Sequence, residues 1–357
     1  MKDILLNFKG FENNIIFTKY NADDLNGPWK YLKNKLASIG YDLKTADDND
    51  LSTAEKIIFV DEVTLGKKIT RFSKIKTFAK KILGINKNNQ TEYTRDVYAE
   101  AIKMGLRKKM ALILWEARAI DPDNYTEETY GKFDTIITWN DDLVDNKKFF
   151  KFFHPYSDKE RPKPAVLFRD KKMLVNISIN KISNHNDELY SERRKSISFF
   201  EKEIGEKFDL FGYNWNKPIS KYEKIFPFLI KKYKSYRGEC RNKHEILAQY
   251  KFSLCYENVK NENGWITEKI FDCFNARVVP IYWGAQNITK YIPKETFIDR
   301  RNFKNNKELL FFLESITEKQ YDNYIKAIDS FLGSDDYKKF LPDNFFICVS
   351  KALKLKI

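Results

Sequence analysis

The sequence predicts an α/β fold in which two Rossmann-like domains face a cleft. Three observations lead there. Short apolar runs alternate with segments of helical period in both halves of the chain. The stretch RPKPAVLFRDKK (161–172), with two prolines and several charges, separates the two series as a crossing between domains. A length of 357 residues also exceeds one ordinary core and suits two. The expected division is 1–165, then 166–335, then a helical tail over 336–357.

In the first half, Ile57 to Val60 reads as a buried strand and 92–108 as a helix, with Val97, Ile102 and Leu106 among its apolar positions. Ala111 to Trp115 and Phe133 to Thr138 are the next strands. In the second half, Leu174 to Ile179 opens the series. A helix over about 188–204 follows, then a strand from Phe208 that ends in a turn at Gly212. A helix over about 242–250 precedes the strand Phe252–Tyr256. Another, from about Thr267 to Asn275, precedes Val278–Tyr282. Pro280 lies inside that last run, which predicts an edge strand or a bulge. Residues 305–357 read as mostly helical. Ligands of such folds bind beyond the carboxyl ends of the strands, which here means the cleft.

Composition narrows the function. Hydrophobic residues at 42% and charged residues at 32% supply a core and argue against disorder. Four isolated cysteines, Cys240, Cys255, Cys273 and Cys348, form no CxxC pair, which argues against a zinc ribbon or a thioredoxin-like site. They are expected as small core residues in a reducing compartment. With three histidines, a multi-histidine metal site is not expected, although carboxylates could hold magnesium. The opening MKDILLNFKGFENN is too short and too interrupted for a signal peptide or a spanning helix. A cytoplasmic protein is therefore expected, with the sequons at Asn89, Asn124, Asn176 and Asn287 unused.

Lysine and arginine number 64 against 50 acids, a net charge of +14 that calls for an anionic partner. Eight of those charges fall in 63–91, a stretch without acids: Lys67, Lys68, Arg71, Lys74, Lys76, Lys80, Lys81 and Lys87. Ile69, Phe72, Ile75, Phe78 or Ala79, and Ile82 recur there at helical spacing. That is a basic amphipathic helix suited to an anionic membrane, possible peripheral contact on the inner face included. An ordinary surface helix with solvated lysines explains the pattern equally well. No nucleic-acid recognition motif accompanies it.

The most informative stretch is YKFSLCYENVKNENGWITEKIFDCFNARVVPIYWGA (250–285). A strand ends at Tyr256, with Glu257 and Asn258 at its carboxyl end. A glycine loop at Gly264 follows, and Thr267-Glu268-Lys269 opens a helix. Free N–H groups and the positive dipole end of a helix hold phosphate, and Lys269 adds a full charge. Glu268 can accept hydrogen bonds from sugar hydroxyls. By residues alone this is a candidate nucleotide-phosphate pocket, although an ordinary capped helix start is the commoner explanation of such spacing.

The blocks CYEN, GWITEKI and VVPIYWGA resemble the signature of the GDP-fucose-dependent α-1,3-fucosyltransferases of bacterial type. Further segments are similar in the same order: LILWEARAIDPDNY (112–125), FDTIITWNDDLVD (133–145), ELYSERRKSISFFEKEIGEKFDLFG (188–212) and YRGECRNKHEILAQYKF (236–252). The resemblance covers about 110–300 and has no counterpart for the basic segment. It implies a GT-B glycosyltransferase that inverts the fucose anomeric carbon, with an N-terminal acceptor domain and a C-terminal donor domain. It implies no metal requirement, because basic side chains take a cation's place at the diphosphate. A divalent metal is possible but not expected in the site.

The resemblance also places roles. Glu116, just after the strand 111–115, matches the family's catalytic base; on position alone a loop-capping surface carboxylate would be the commoner reading. Asp121 and Asp123 are the runners-up. Lys269 is placed on the diphosphate, with Arg193 or Arg194 as its bidentate partner and Arg193 preferred. Asn258, Thr267 and Glu268 fall on the donor, Trp265 stands as an aromatic beside it, and Gly212 and Tyr213 lie near the guanine pocket. Glu257 matches too and could be structural, while Tyr256, Tyr282 and Trp283 read as core. The partners implied are GDP-fucose and an oligosaccharide or lipid-linked glycan, with α-1,3 transfer to N-acetylglucosamine or a similar sugar of a surface polysaccharide. Another GDP-6-deoxyhexose such as colitose is the near alternative. A non-catalytic basic protein binding membrane or nucleic acid is the remote one, and it leaves GWITEKI without a role.

Overall fold

A computed structural model describes residues 1–18, 26–61, 95–157, 166–240 and 242–356. The basic segment 63–91 lies outside these residues, as do positions 161–165 of the crossing.

The first unit carries six parallel strands: β1 (Lys2–Asn7), β2 (Tyr41–Thr45), β3 (Ala54–Val60), β4 (Met110–Leu114), β5 (Ile136–Thr138) and β6 (Phe149–Lys151). Their spatial order is β2-β1-β3-β4-β5-β6. Helix α1 (Gly27–Ser38) links β1 to β2, and α2 (Val97–Lys103) precedes β4. Every residue of β4 is buried, as a central parallel strand covered on both faces requires. The sequence reading assigned nothing before Ile57, yet β1 is the strand on which β2 and β3 both pair. The helix expected over 92–108 is shorter. Gly105 ends it with φ +71°, where Leu106 N–H closes onto the Ala101 carbonyl.

The second unit contains β7 (Lys172–Ile177), α3 (Tyr190–Ile204), β8 (Phe208–Phe211), α4 (Lys221–Ile225), α5 (Lys243–Leu247), β9 (Tyr250–Tyr256), α6 (Glu268–Asn275), β10 (Val279–Trp283) and β11 (Ile298–Asp299). The strands are again parallel, in the order β11-β10-β9-β7-β8. β10 is therefore not an edge strand and its pairing with β9 has no bulge. Pro280 is tolerated because β11 reaches only Ile281 and Tyr282, so no ladder partner is needed opposite the missing N–H on that side.

Both sheets reverse strand order next to their first strand, between β1 and β3 and between β7 and β9. Ligands of doubly wound sheets bind at such switch points, beyond the carboxyl ends. Helices α7 (Asn306–Ser315) and α8 (Glu318–Leu332) pack on the second core. The last helix, α9 (Pro342–Leu353), then crosses back to the first unit. Phe345, Phe346 and Val349 share a core with Trp29, Leu32 and Leu36 of α1, and the Phe345 ring meets Trp29 edge-on at 5.5 Å. The predicted tail thus completes the first unit rather than trailing from the second. Cys255 and Cys273 are core residues as expected, whereas Cys240 and Cys348 are only half-buried.

Candidate active site

The site is built from the turn between β9 and α6. Glu257 follows β9 and is wholly buried. Its carboxylate accepts from the Thr267 backbone N–H at 3.0 Å, from the Thr267 hydroxyl at 2.9 Å and from Lys269 Nζ at 3.0 Å. The Thr267 hydroxyl is therefore committed to Glu257, and no side chain caps the start of α6. Lys269 Nζ also donates to Thr267 Oγ1 at 2.9 Å and lies 3.8 Å from Glu268. Burial works to lower the Lys269 pKa, but Glu257 and Glu268 outweigh it and hold the ammonium above its usual value. Burial likewise favours protonating Glu268, but Lys269 and Lys243 keep its carboxyl below the ordinary range.

Arg193 enters from α3. Its side chain is buried, and Nη2 donates to the carbonyls of Tyr256 at 2.6 Å and Glu257 at 3.0 Å, which fixes the guanidinium at the end of β9. Its Nε has no partner among the described residues. Arg194 turns away, donates to the Lys181 carbonyl and lines neither cavity of the site. Of the two, only Arg193 lines a cavity of the site.

Two cavities meet at this turn. The second-unit cavity, about 240 Å³, opens at the β7/β9 switch point and is lined by Ser178, Tyr190, Arg193, Gly212, Tyr213 and Lys243, among others. Gly212 has φ +119°, and a Cβ there would stand 2.0 Å from the Ser178 carbonyl oxygen, so only glycine fits. The cleft cavity, about 870 Å³, lies against the first unit and is lined by Asp61, Trp115, Glu116, Asp121, Asp123 and His154, among others. Asn258, Glu268 and Lys269 line both, so they stand where the two spaces join.

Glu116 sits just beyond the carboxyl end of β4, as the sequence reading expects. Burial raises its pKa, Lys269 and Lys181 draw it down, and Glu268 and Asp121 push it up again; the balance is a carboxyl above its usual value. Its backbone is held from beneath by Asp61 at the end of β3. That carboxylate accepts from Trp115 N–H at 2.7 Å, Glu116 N–H at 3.1 Å and Asn124 Nδ2 at 2.6 Å. Burial pushes Asp61 up to about 7.

Trp265 is not beside the second-unit cavity. It is buried in the seam between the units, 4.7 Å from the Trp139 ring and 4.8 Å from His154, and lines the cleft cavity. Neighbouring Gly264 has φ +86°, and a Cβ there would meet the Trp139 carbonyl oxygen at 2.4 Å. Asp141 closes the same seam, accepting from Asn287 at 2.6 Å and Tyr291 at 2.7 Å while pairing with Lys151 at 2.7 Å. The Gly-Trp half of GWITEKI thus clamps the units together, and its Thr-Glu-Lys half forms the site. Sequence reasoning missed Asp61, Lys181 and Lys243. The last two line the second-unit cavity, Lys181 from a loop outside the quoted segments and Lys243 from within 236–252, where no role was assigned to it. Among the described residues, no group of three or more His, Cys, Asp or Glu side chains stands close enough to hold a metal ion.

Residues 171–338 match the family model for Glycosyltransferase family 10 (fucosyltransferase) C-term. That match spans most of the second unit and none of the first. The α-(1,3)-fucosyltransferase FucT of Helicobacter pylori is 34% identical over 111 residues, 28% of this chain and 23% of that protein. GDP-fucose protein O-fucosyltransferase 3 of Xenopus tropicalis is 38% identical over 87 residues, 23% of this chain and 18% of that protein. The α-(1,4)-fucosyltransferase of Arabidopsis thaliana is 34% identical over 73 residues, 20% and 18% of the two chains. The chain thus spans about a fifth of the length of these curated relatives. Among solved structures, an α1,3-fucosyltransferase with GDP-fucose superposes with a TM-score of 0.53 at 14% identity, covering 99% of this chain and 90% of that one. T4 phage β-glucosyltransferase does so with a TM-score of 0.52 at 15% identity, covering 99% and 100%. These likenesses carry the fold, a GT-B architecture of which the two units are the halves.

Proposed function

We propose that the protein transfers L-fucose from GDP-fucose to a hydroxyl of a glycan acceptor, inverting the anomeric carbon. The observation that carries this reading is the placement of Glu116 and Lys269, from different units, on the wall of one cavity. The donor occupies the second-unit cavity, with guanine toward Gly212 and Tyr213 and the diphosphate at Lys269, Arg193 and the uncapped start of α6. Asn258 and Glu268, lining both cavities, contact the fucose or ribose hydroxyls.

The acceptor enters the cleft cavity. Its hydroxyl oxygen attacks the anomeric carbon from the face opposite GDP, the bond from carbon to the phosphate oxygen breaks, and Glu116 takes the hydroxyl proton. Lys269 and Arg193 meet the charge that develops on the departing diphosphate. Asp61 positions Glu116 through the backbone of its loop. Glu257 positions Lys269.

The named activities of the relatives include α-(1,3), α-(1,4) and protein O-fucosylation, which share a fucosyl donor but not an acceptor. Our reading of the acceptor is a surface polysaccharide or its lipid-linked precursor, with α-1,3 transfer to N-acetylglucosamine or a similar sugar. We place the enzyme in the cytoplasm at the inner membrane face, with the basic segment 63–91 toward the bilayer; no described helix is long and apolar enough to cross one. The test is binding competition among GDP sugars followed by GDP release with an acceptor panel. Preferential GDP-fucose binding and acceptor-dependent GDP release support the proposal; preference for another GDP-deoxyhexose moves the donor, and no binding of any GDP sugar overturns it.

A further inference from the structure

A surface segment that lines neither cavity of the site carries a second feature. Tyr222, Ile225, Phe226, Phe228 and Leu229 fall within eight residues and are all exposed, Phe228 by 81%, Tyr222 by 74% and Ile225 by 67%. Such a cluster is unfavourable in water unless something covers it. The segment is nevertheless ordered from within. Ser220 and Glu223 form a capping box on α4, and a single helical turn, Pro227–Leu229, follows. Phe226 N–H donates to the Tyr222 carbonyl at 2.8 Å, Leu229 N–H to Phe226 at 3.0 Å and Ile230 N–H to Pro227 at 3.1 Å. A turn that satisfies its own backbone donors can enter a medium poor in hydrogen-bond partners. Tyr233, edge-on to buried Trp215 at 5.4 Å, anchors it to the second unit.

The rim is cationic. Lys221, Lys224, Lys231, Lys232 and Lys234 are all exposed. The single acid between 216 and 238 is Glu223, and its carboxylate is taken up by the N–H groups of Ile219 at 2.7 Å and Ser220 at 3.2 Å. Protein interfaces are depleted in lysine, whereas an anionic lipid surface takes aromatic rings at the headgroup boundary and lysine ammonium groups among the phosphates.

We propose that residues 221–234 dock the protein on an anionic lipid bilayer, with Ile225, Phe226, Phe228 and Leu229 entering the interface and the lysines contacting headgroup phosphates. This contact involves residues other than the basic segment 63–91 and does not depend on the donor. The patch lies on the connection leaving the carboxyl end of β8, the end whose Gly212 and Tyr213 line the second-unit cavity. Docking there brings that cavity near the membrane.

The experiment is flotation of the full chain with vesicles of phosphatidylcholine alone or mixed with phosphatidylglycerol, at low and high salt. The wild type should bind the mixed vesicles in a salt-sensitive way. Phe228→Asp and the double variant Lys231→Glu/Lys232→Glu should each weaken binding at least tenfold while unfolding at the wild-type temperature. As a second readout, Phe228→Trp should show fluorescence quenched by brominated lipid. Absence of binding to anionic vesicles overturns the proposal. So does unchanged binding in both folded variants, which would place the contact elsewhere. Self-association through the patch, seen as a dimer that Phe228→Asp abolishes without any lipid binding, overturns it as well.

Discussion

Lys269 Nζ stands 3.0 Å from Glu257, a carboxylate with no solvent exposure, so the cation at the head of α6 is fixed by a buried partner. The pair explains why Glu257 and Lys269 occur together around the Gly-Trp loop. A free lysine would sample many positions, whereas this one is held at the junction of two cavities. The arrangement is sensitive to loss of one partner, because a lone buried carboxylate costs far more than the pair contributes.

Lys269→Ala should therefore do two things. GDP-fucose affinity falls roughly 10- to 100-fold, the strength of about one hydrogen bond to a charged group. Stability falls by about 3 kcal/mol, because Glu257 is left unpaired. The double variant Glu257→Gln/Lys269→Met should recover most of the stability and none of the affinity. Calorimetric donor titration and denaturant unfolding check the two effects separately.

Glu116→Gln should lower the transfer rate by roughly 100- to 10,000-fold, the usual contribution of a general base, with donor affinity unchanged. Its protonated form cannot accept a proton. Because its pKa is raised, kcat/KM should fall on the acid side at a higher pH than for an ordinary glutamate. Asp61→Ala should lower kcat through the displaced Glu116 loop while sparing donor binding. An acid limb within the ordinary carboxylate range would argue against Glu116 as the base.

His154 is buried among Trp115, Trp139 and Trp265, and its pKa is lowered by that burial to about 3. In the unfolded chain the ring protonates near the ordinary histidine value of 6.5, so between these values the unfolded state binds more protons. The neutral ring's contribution to stability is complete above 6.5 and is lost as pH falls toward 3. Between pH 7 and pH 5 the wild type should lose about 2 kcal/mol relative to His154→Phe. Unfolding free energies of both proteins at the two pH values supply the comparison.

Gly212→Ala should destabilise the protein by about 2 kcal/mol or more and weaken donor binding, since the methyl group meets the Ser178 carbonyl at a backbone angle that favours glycine. Gly131 has open space where its Cβ would lie and an ordinary φ, so Gly131→Ala is the control and should be near neutral. Thermal unfolding and GDP-fucose titration distinguish the two sites.

What was legible in the sequence was local. The strand–turn–helix at 250–275 lies in consecutive residues, so its periodicity and loop chemistry reveal both the element and Lys269. The place of Glu116 just beyond β4 was readable from the strand pattern, but its role as base came only with the resemblance and not from position. What escaped depends on distant pairing. β1 is too short for its period to separate strand from helix, and only its neighbours β2 and β3 define it. The return of α9 to the first core and the burial of Trp265 against Trp139 join residues more than 100 positions apart. Asp61 lacks any motif; its importance rests on hydrogen bonds to Trp115 and Glu116 across the sheet end.

The most direct test of the central claim is mass spectrometry of a glycan acceptor panel incubated with GDP-fucose and either wild-type protein or Glu116→Gln. The wild type should give an acceptor heavier by one deoxyhexose, with one GDP released per transfer, and the variant neither while still binding GDP-fucose. A variant that transfers at the wild-type rate, or a wild type that neither binds GDP-fucose nor modifies any acceptor, would contradict it.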